Sequence, residues 1–176
     1  TGAMEAAVSN FFSFNDKVIC IVGGKFGERW FEISKAFGLN PIVMKVKEGE
    51  SPSIDELEEL LKENKDIKGI LTTLTETSTA TVFDIEGISK LTKEKEILLI
   101  VDAISGLCQD VLLTDEWNVD VVVSGSQKGF MLPPGLSFIS ISKKAQNFLK
   151  NSNLPKYYFD LNKSLKSYAN NDTPFT

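Results

Sequence analysis

Histidine is absent from the 176 residues of this chain. Its absence excludes Ser-His-Asp and Cys-His catalysis, imidazole ligation of metals and a histidine proton relay. Any chemistry must therefore use lysine, carboxylates, hydroxyls or a bound cofactor. Cysteine occurs only at Cys20 and Cys108, both in apolar stretches and without a C-x-x-C spacing. We expect both thiols to be buried and reduced, as in a cytosolic protein.

Positive charge is scarce, because 19 lysines and arginines face 24 acidic residues and give a net charge of -5. The longest basic run is the pair Lys143 and Lys144. Binding to a phosphate backbone needs a positive face, so nucleic acid is not an expected partner. Long apolar runs are also missing, since stretches such as 97–101 are far shorter than the roughly 20 residues of a membrane helix. We expect a cytoplasmic protein without a membrane partner.

The composition is that of a globular protein, with 42% hydrophobic and 24% charged residues, 12 glycines and 6 prolines. The length suffices for one domain with its own core. The chain begins inside an apolar helical pattern and ends at Thr176 without a tapering tail. We interpret it as a fragment of a longer protein.

Strand-like and helical patterns alternate along the chain, which predicts an α/β fold with a mostly parallel sheet covered by helices on both faces. Gly38 follows one helix at the position where a left-handed residue ends helices, and Ser53 with Glu56 forms a capping box. The predicted strands are 17–22, 41–46, 69–74, 96–102, 119–124 and 136–142, and the predicted helices after the first are 27–37, 54–62, 84–93 and 143–151.

Two ionisable residues follow predicted buried strands. Ligands of such sheets bind at the carboxyl ends of the strands. Asp102 follows an aliphatic strand, and taken alone it would be a loop cap. Lys128 follows a Ser-Gly-Ser turn, and taken alone it would be a surface lysine. Together they match the pyridoxal phosphate (PLP) arrangement of a Schiff-base lysine and an aspartate partner for the pyridine nitrogen.

Recognisable motifs surround this pair. They are VDAISGL at 101–107, DEW at 115–117, VSGSQKG at 123–129, PPG at 133–135, GGKFGERW at 23–30 and ETST at 76–79. Over essentially the whole chain they closely resemble the class V PLP-dependent aminotransferases, in the alanine-glyoxylate, serine-glyoxylate and serine-pyruvate branch. The resemblance implies the large domain of the aspartate aminotransferase-like fold, known as fold type I.

The resemblance also implies roles for residues around the cofactor ring. Lys128 would form the Schiff base with PLP and later move a proton as a free amine. Asp102 would pair with the pyridine nitrogen. Ile104 and Phe26 would lie against the two ring faces, and Thr77 would hydrogen-bond near the ring 3-oxygen.

The cofactor phosphate is expected at the start of the first helix, where Thr1, Gly2 and Ala3 offer backbone N–H groups. Gln127 would add a neutral donor. In the resembled family, a threonine matching Thr176 reaches the phosphate of the neighbouring subunit, which implies a homodimer with the cofactor site near the interface.

The implied reaction is transfer of an amino group from alanine, serine or aspartate to a 2-oxo acid such as glyoxylate or pyruvate. Residues 1–150 would form the PLP-binding large-domain core, and residues 151–176 would begin the connection to a C-terminal domain. In the resembled family that domain carries the arginine that binds the substrate carboxylate, so we expect this chain alone to be weak or inactive. Two departures from the family pattern are Leu74, often His, and Ala80, often Gly.

Two alternatives remain open. The chain could be a PLP-fold fragment without catalysis that serves as a dimerisation scaffold. The turn at 23–27 also suggests a dinucleotide-binding site, with Glu48 at a suitable distance for a ribose contact. The G-x-G-x-x-G pattern would need glycine where Val22 stands, which weighs against it.

Overall fold

The structure, a computed structural model, describes residues 1–175. Helices and strands alternate as the sequence pattern predicts. The elements are α1 (Gly2–Phe11), β1 (Lys17–Val22), α2 (Lys25–Ala36), β2 (Asn40–Lys45), α3 (Ile54–Glu63), β3 (Ile67–Thr73), β4 (Thr75–Glu76), β5 (Thr81–Val82), α4 (Ile85–Lys90), β6 (Leu98–Asp102), β7 (Val121–Gly125), β8 (Ser137–Ile141), α5 (Lys143–Phe148) and α6 (Leu161–Tyr168).

Six strands form the main sheet in the order β2-β1-β3-β6-β7-β8. All neighbours in it are parallel except β7 and β8, which are antiparallel. The chain moves outward from β1 to β2 and then returns to place β3 on the other side of β1. The carboxyl ends of the strands at such a reversal form a crevice that ligands use. The predicted mostly parallel sheet is confirmed.

Helices cover both faces of the sheet and enclose two apolar clusters. One cluster joins the sheet to α1, α2 and α5 through residues such as Met4, Trp30 and Ala145. The other joins the opposite face to α3 and α4 through Leu57 and Ile88. Because both faces are covered, β6 and β7 are buried along their whole length and carry almost purely aliphatic side chains.

The helix boundaries follow local signals in the sequence. Gly38 has a φ of +76° just after α2, a conformation that glycine adopts without a steric cost. Ser53 Oγ accepts a hydrogen bond from Glu56 N at 3.3 Å and so caps α3. Helix α4 is shorter than predicted, because the N–H groups of Leu91 and Thr92 bond to carbonyls three residues back and tighten the last turn.

The predicted burial of both cysteines is right for one of them. Cys20 is buried in β1, and burial raises the pKa of its thiol to about 12. Cys108 is exposed, which corrects the prediction. It has a φ of +68° in the turn that follows Gly106, outside any strand or helix, so the apolar stretch there does not continue into the core.

Three elements, β4, β5 and α6, were not predicted from the sequence. The two-residue strands β4 and β5 form an antiparallel hairpin beside the end of β3. Helix α6 begins after Asp160, whose side chain accepts hydrogen bonds from Asn162 N and Lys163 N. Within residues 1–175, the longest helix has 12 residues, and none combines the length and apolar character needed to cross a membrane.

Candidate active site

A cleft of about 220 Å³ opens at the carboxyl ends of the sheet strands. It collects residues from the start of α1, the first turn of α2, the β4–β5 hairpin and the loops after β6 and β7. The lining residues are Thr1, Phe26, Arg29, Thr75, Thr77, Asp102, Ile104, Ser105, Gln127 and Lys128. Seven of the ten residues predicted to bind a cofactor therefore line this one cleft: Thr1, Phe26, Thr77, Asp102, Ile104, Gln127 and Lys128.

Asp102 is the buried acid of this cleft, with only 4% of its surface exposed. It stands at the end of β6, where the chain leaves the aliphatic core. Its Oδ1 accepts one hydrogen bond, from Ile104 N at 2.8 Å. Burial raises the pKa of the Asp102 carboxyl to about 6, although the Ile104 N–H and the Arg29 guanidinium act to lower it. A cation or a further donor in the cleft would favour the ionised carboxylate.

Lys128 stands on the turn after β7, with its side chain exposed. Ser126, which is fully buried, stabilises this turn through its hydrogen bonds. Ser126 Oγ donates to Pro133 O at 2.7 Å, and Ser126 O accepts from Leu132 N at 3.1 Å. The Lys128 carbonyl accepts from Met131 N at 2.9 Å. The backbone of the lysine is thus fixed by the short segment 126–133.

Phe26 and Arg29 lie one helical turn apart at the start of α2. The Arg29 guanidinium carbon is 5.0 Å from the centre of the Phe26 ring, a cation–π arrangement. On the other side, Thr77 Oγ1 donates to Ser105 Oγ at 2.6 Å and so links the hairpin to the loop after β6. Arg29, Thr75 and Ser105 also line the cleft, although no role was predicted for them from the sequence. The i, i+3 spacing from Phe26 could have identified Arg29.

The other predicted site residues lie elsewhere. Gly2 and Ala3 line a separate cleft of about 430 Å³ together with Tyr158 and Phe159. Neither residue is among those that line the Lys128 cleft. Their predicted role concerns backbone N–H groups at the start of α1 and stays a prediction. Thr176 lies outside the described residues.

The two positions that depart from the resembled family have different surroundings. Leu74 is buried in the apolar cluster under α3 and α4 and does not line the cleft. Ala80 lies in the turn of the β4–β5 hairpin with a φ of +53°. This is the left-handed region, where a Cβ is strained and glycine is not.

The glycine-rich turn between β1 and α2 does not resemble a nucleotide site in its hydrogen bonding. In dinucleotide-binding domains the helix N-terminus that follows such a turn faces the pyrophosphate. Here the N–H groups of Phe26 and Gly27 donate to Glu76 Oε2 at 3.1 and 2.9 Å. A carboxylate of the chain itself therefore occupies the position that an anion would take, which weighs against the dinucleotide alternative.

Comparison with known proteins gives consistent matches. The family described as aminotransferase class-V matches residues 1–173. The chain is 45% identical to a protein named soluble hydrogenase 42 kDa subunit of Anabaena cylindrica, over all of this chain and 47% of that protein. It is 36% identical to L-aspartate–glyoxylate aminotransferase of Paracoccus denitrificans, over all of this chain and 46% of that protein.

Among solved structures, alanine–glyoxylate aminotransferase from Nostoc sp. matches with a TM-score of 0.89 and 31% identity, covering 95% of this chain and 44% of that one. The chain spans about half the length of the curated relatives it matches.

Proposed function

The chain belongs to the aminotransferase class-V family, and from that premise we propose that the whole protein is a PLP-dependent transaminase. We propose further that it moves an amino group from a small amino acid, such as alanine, serine or aspartate, to a 2-oxo acid such as glyoxylate or pyruvate. The observation that supports this most directly is that Lys128 and Asp102 line the same cleft. Lysine and aspartate are the two protein groups that PLP chemistry requires.

The other lining residues fit the cofactor that the family implies. The volume of about 220 Å³ lies below the roughly 300–1,000 Å³ of sites for larger ligands, so it suits one small ring. Phe26 and Ile104 offer apolar surface for the ring. Thr77 offers a hydroxyl, and Gln127 offers an amide donor. Thr1 stands at the amino end of α1, where a helix dipole favours an anion such as a phosphate.

PLP, when bound, supplies an aldehyde carbon and an electron-withdrawing ring that accepts negative charge from the substrate Cα. Lys128 Nζ would bind that aldehyde carbon and, once released, carry a proton to and from the substrate Cα. Asp102 would hold the proton on the pyridine nitrogen. The positive charge of that nitrogen would lower the pKa of Asp102 from about 6 and keep it ionised.

The substrate class is supported by the names of two relatives, the L-aspartate–glyoxylate enzyme and the alanine–glyoxylate enzyme. The name of the Anabaena relative indicates a different activity. Because Lys128 and Asp102 line one cleft, we favour an aminotransferase activity over the one that this name indicates. Arg29 is the only arginine in the sequence and stacks on Phe26. We therefore propose that the arginine that binds the substrate carboxylate lies outside this chain.

We also propose the division into a core of residues 1–150 and a connection that begins at 151. The connecting segment is anchored on α1, because Asn10 Nδ2 donates to Phe159 O at 2.6 Å and Asn10 Oδ1 accepts from Leu161 N at 3.0 Å. A homodimer is supported by the exposed aromatic residues Tyr157, Tyr158 and Phe175 within this segment. Two free thiols accord with a cytoplasmic location.

The test is a PLP titration of the full-length protein followed by borohydride reduction and peptide mapping. We expect a pyridoxyl adduct on Lys128 at cofactor concentrations that leave Lys25, an exposed lysine near the cleft, unmodified. Lys128→Ala should lose the adduct and transamination, whereas Lys25→Ala should retain both. An adduct spread evenly over surface lysines, or full turnover by Lys128→Ala, would overturn the proposal. A panel of amino donors with glyoxylate then identifies the substrate.

A further inference from the structure

Glu76 is a fully buried carboxylate beside the cleft that no step of the proposed reaction uses. Its exposed fraction is 0%, and none of the ion pairs found in residues 1–175 includes it. A buried charge is very costly unless hydrogen bonds or opposite charge compensate it. The surroundings of Glu76 must therefore supply that compensation through neutral donors.

The donors come from two segments that are far apart in the sequence. Glu76 Oε2 accepts from Phe26 N at 3.1 Å and from Gly27 N at 2.9 Å, in the first turn of α2. Glu76 Oε1 accepts from Ser78 Oγ at 2.6 Å and from Ser78 N at 3.2 Å, in the hairpin turn. The positive end of the α2 dipole adds to the compensation. One carboxylate thus joins the start of α2 to the hairpin.

A second contact makes the junction tight. Lys25 N donates to Ser78 Oγ at 3.0 Å. A Cβ on Gly24 would overlap Ser78 Oγ and would lie 2.6 Å from the Glu76 carboxyl carbon. Only glycine leaves room at that position, so the turn and the hairpin are in direct contact. The junction leaves little freedom for either segment to move alone.

The junction carries two walls of the cleft. The backbone of Phe26 is fixed by the hydrogen bond from its own N–H group to Glu76. Thr77 is fixed in the same way, because it lies between Glu76 and Ser78, which are hydrogen-bonded to each other. We propose that Glu76 is a positioning residue that holds the Phe26 ring and the Thr77 hydroxyl at a fixed separation across the cofactor cleft. The inference rests on the proposed function for the identity of the ligand, which is PLP.

A purely structural role would give a different result from a positioning role. Asp120 is also a buried carboxylate that accepts a backbone N–H, from Leu99 at 3.0 Å, but it does not line the cleft. Asp120→Asn therefore reports what the loss of a buried carboxylate does to stability alone. Glu76→Gln keeps the size of the side chain but turns one acceptor into a donor that faces N–H or O–H groups.

The experiment compares Glu76→Gln, Asp120→Asn and the unaltered full-length protein. We expect the amides of Phe26 and Gly27 to exchange hydrogen about tenfold faster in Glu76→Gln without PLP, because a bond to a charged acceptor is lost. We expect PLP affinity to fall by about tenfold and the circular dichroism of bound PLP to change. Asp120→Asn should lower the melting temperature but leave both cofactor signals unchanged.

Ser78→Ala provides a second variant if Glu76→Gln does not fold. It removes the 2.6 Å donor to Glu76 and the acceptor of Lys25 N, so we expect the same changes at about threefold. Cofactor affinity and dichroism that stay unchanged in the folded variants would overturn the positioning role while leaving the transaminase proposal intact. A wild-type protein that forms no adduct on Lys128 would overturn the proposed function, and the inference with it.

Discussion

The buried aspartates at the two edges of the sheet differ in the number of hydrogen bonds that they accept. At the amino edge, Asp120 precedes β7 and uses both oxygens: Oδ2 accepts from Leu99 N and from Lys144 Nζ at 3.1 Å, and Oδ1 accepts from Ser142 Oγ at 2.9 Å. At the carboxyl edge, Asp102 ends β6 and accepts one hydrogen bond, from Ile104 N. Both oxygens of Asp120 accept hydrogen bonds within the chain, whereas Asp102 can accept further hydrogen bonds from a ligand.

Two buried threonine hydroxyls, those of Thr92 and Thr73, also differ in whether they have a hydrogen-bond partner. Thr92 Oγ1 donates to Ser89 O at 3.1 Å. Thr73 Oγ1, at the end of β3, is the one buried side-chain polar atom of residues 1–175 that lacks a hydrogen-bond partner. Thr73 is paired in register with Asp102 on the neighbouring strand, so the two share one face of the sheet. Incomplete hydrogen bonding is therefore concentrated at the edge that carries the cleft.

The amino edge should show the largest loss of stability when its carboxylate is removed. Asp120→Ala removes the acidic partner of Lys144, which keeps only the carbonyls of Thr92 and Ile97. It also removes the acceptor of Leu99 N and of Ser142 Oγ. We expect a loss of about 3–5 kcal/mol in the free energy of unfolding, measured with urea. Glu116→Ala, an exposed acid nearby, should change it by less than about 0.5 kcal/mol. A loss below about 1 kcal/mol for Asp120→Ala would mean that the edges do not differ.

At the carboxyl edge, removal of the buried Asp102 carboxylate should raise the stability of the PLP-free protein at neutral pH. The pKa of Asp102 in the folded chain, about 6, lies above its ordinary value of 3.8, so the folded state prefers the protonated acid. Stability of the PLP-free protein should therefore fall as pH rises from about 4 to above 6, by about 2–3 kcal/mol.

Asp102→Asn removes that fall, so above pH 7 the PLP-free variant should be more stable than the wild type while its PLP affinity is weaker. Urea unfolding at pH 5 and pH 8, with both proteins measured in parallel, isolates the contribution of this one carboxyl. An identical pH dependence in the two proteins would contradict the prediction.

The hydroxyl pair gives a smaller difference of opposite sign. Thr73→Val removes a buried hydroxyl without a partner, so we expect it to stabilise the PLP-free protein by about 1 kcal/mol. Thr92→Val removes a bonded hydroxyl, although Ser89 O still accepts from Thr92 N and Lys93 N, so we expect a loss of up to about 1 kcal/mol. Thermal or urea unfolding of both variants tests this, and equal losses would show that Thr73 is satisfied after all.

The smallest effect is expected in the hairpin at the carboxyl edge. Ala80→Gly relieves the left-handed conformation at a φ of +53° and should stabilise the chain by about 0.5–1 kcal/mol. Ala36→Gly at the exposed end of α2 should instead destabilise it by up to about 1 kcal/mol. If both substitutions destabilise the protein, the hairpin turn is not strained.

The fold could be predicted in outline because local signals agree with the tertiary structure. Aliphatic runs became buried strands, and Gly38 and Ser53 ended or began helices as expected. The hairpin could not be found, since β4 and β5 have two residues each, too few for a periodic pattern. Helix α6 was missed although the sequence carries signals for it: Asp160 is a recognisable cap, and Leu161 and Leu165 lie one turn apart and pack against the core.

The site was predictable where parallel strands determine it. Asp102 and Lys128 follow β6 and β7, which are paired neighbours, so their proximity follows from the topology. The role of Glu76 could not be inferred from spacing, because Phe26 and Gly27, its partners in α2, lie about 50 residues earlier and contact it only in the folded chain. The only signal in the sequence was that Glu76 belongs to the ETST motif at 76–79.

The anchoring of α1 by the end of the chain has a consequence for synthesis. Among the described elements helix α1 is synthesised before all others, and Asn10 contacts Phe159, which is synthesised 149 residues later. At roughly 5–20 residues per second, α1 waits on the order of 10–30 s for that partner. Contacts of such large sequence separation also slow folding. Because Thr1 lines the cleft, we expect the cleft to reach its final form only after residue 159 has been synthesised.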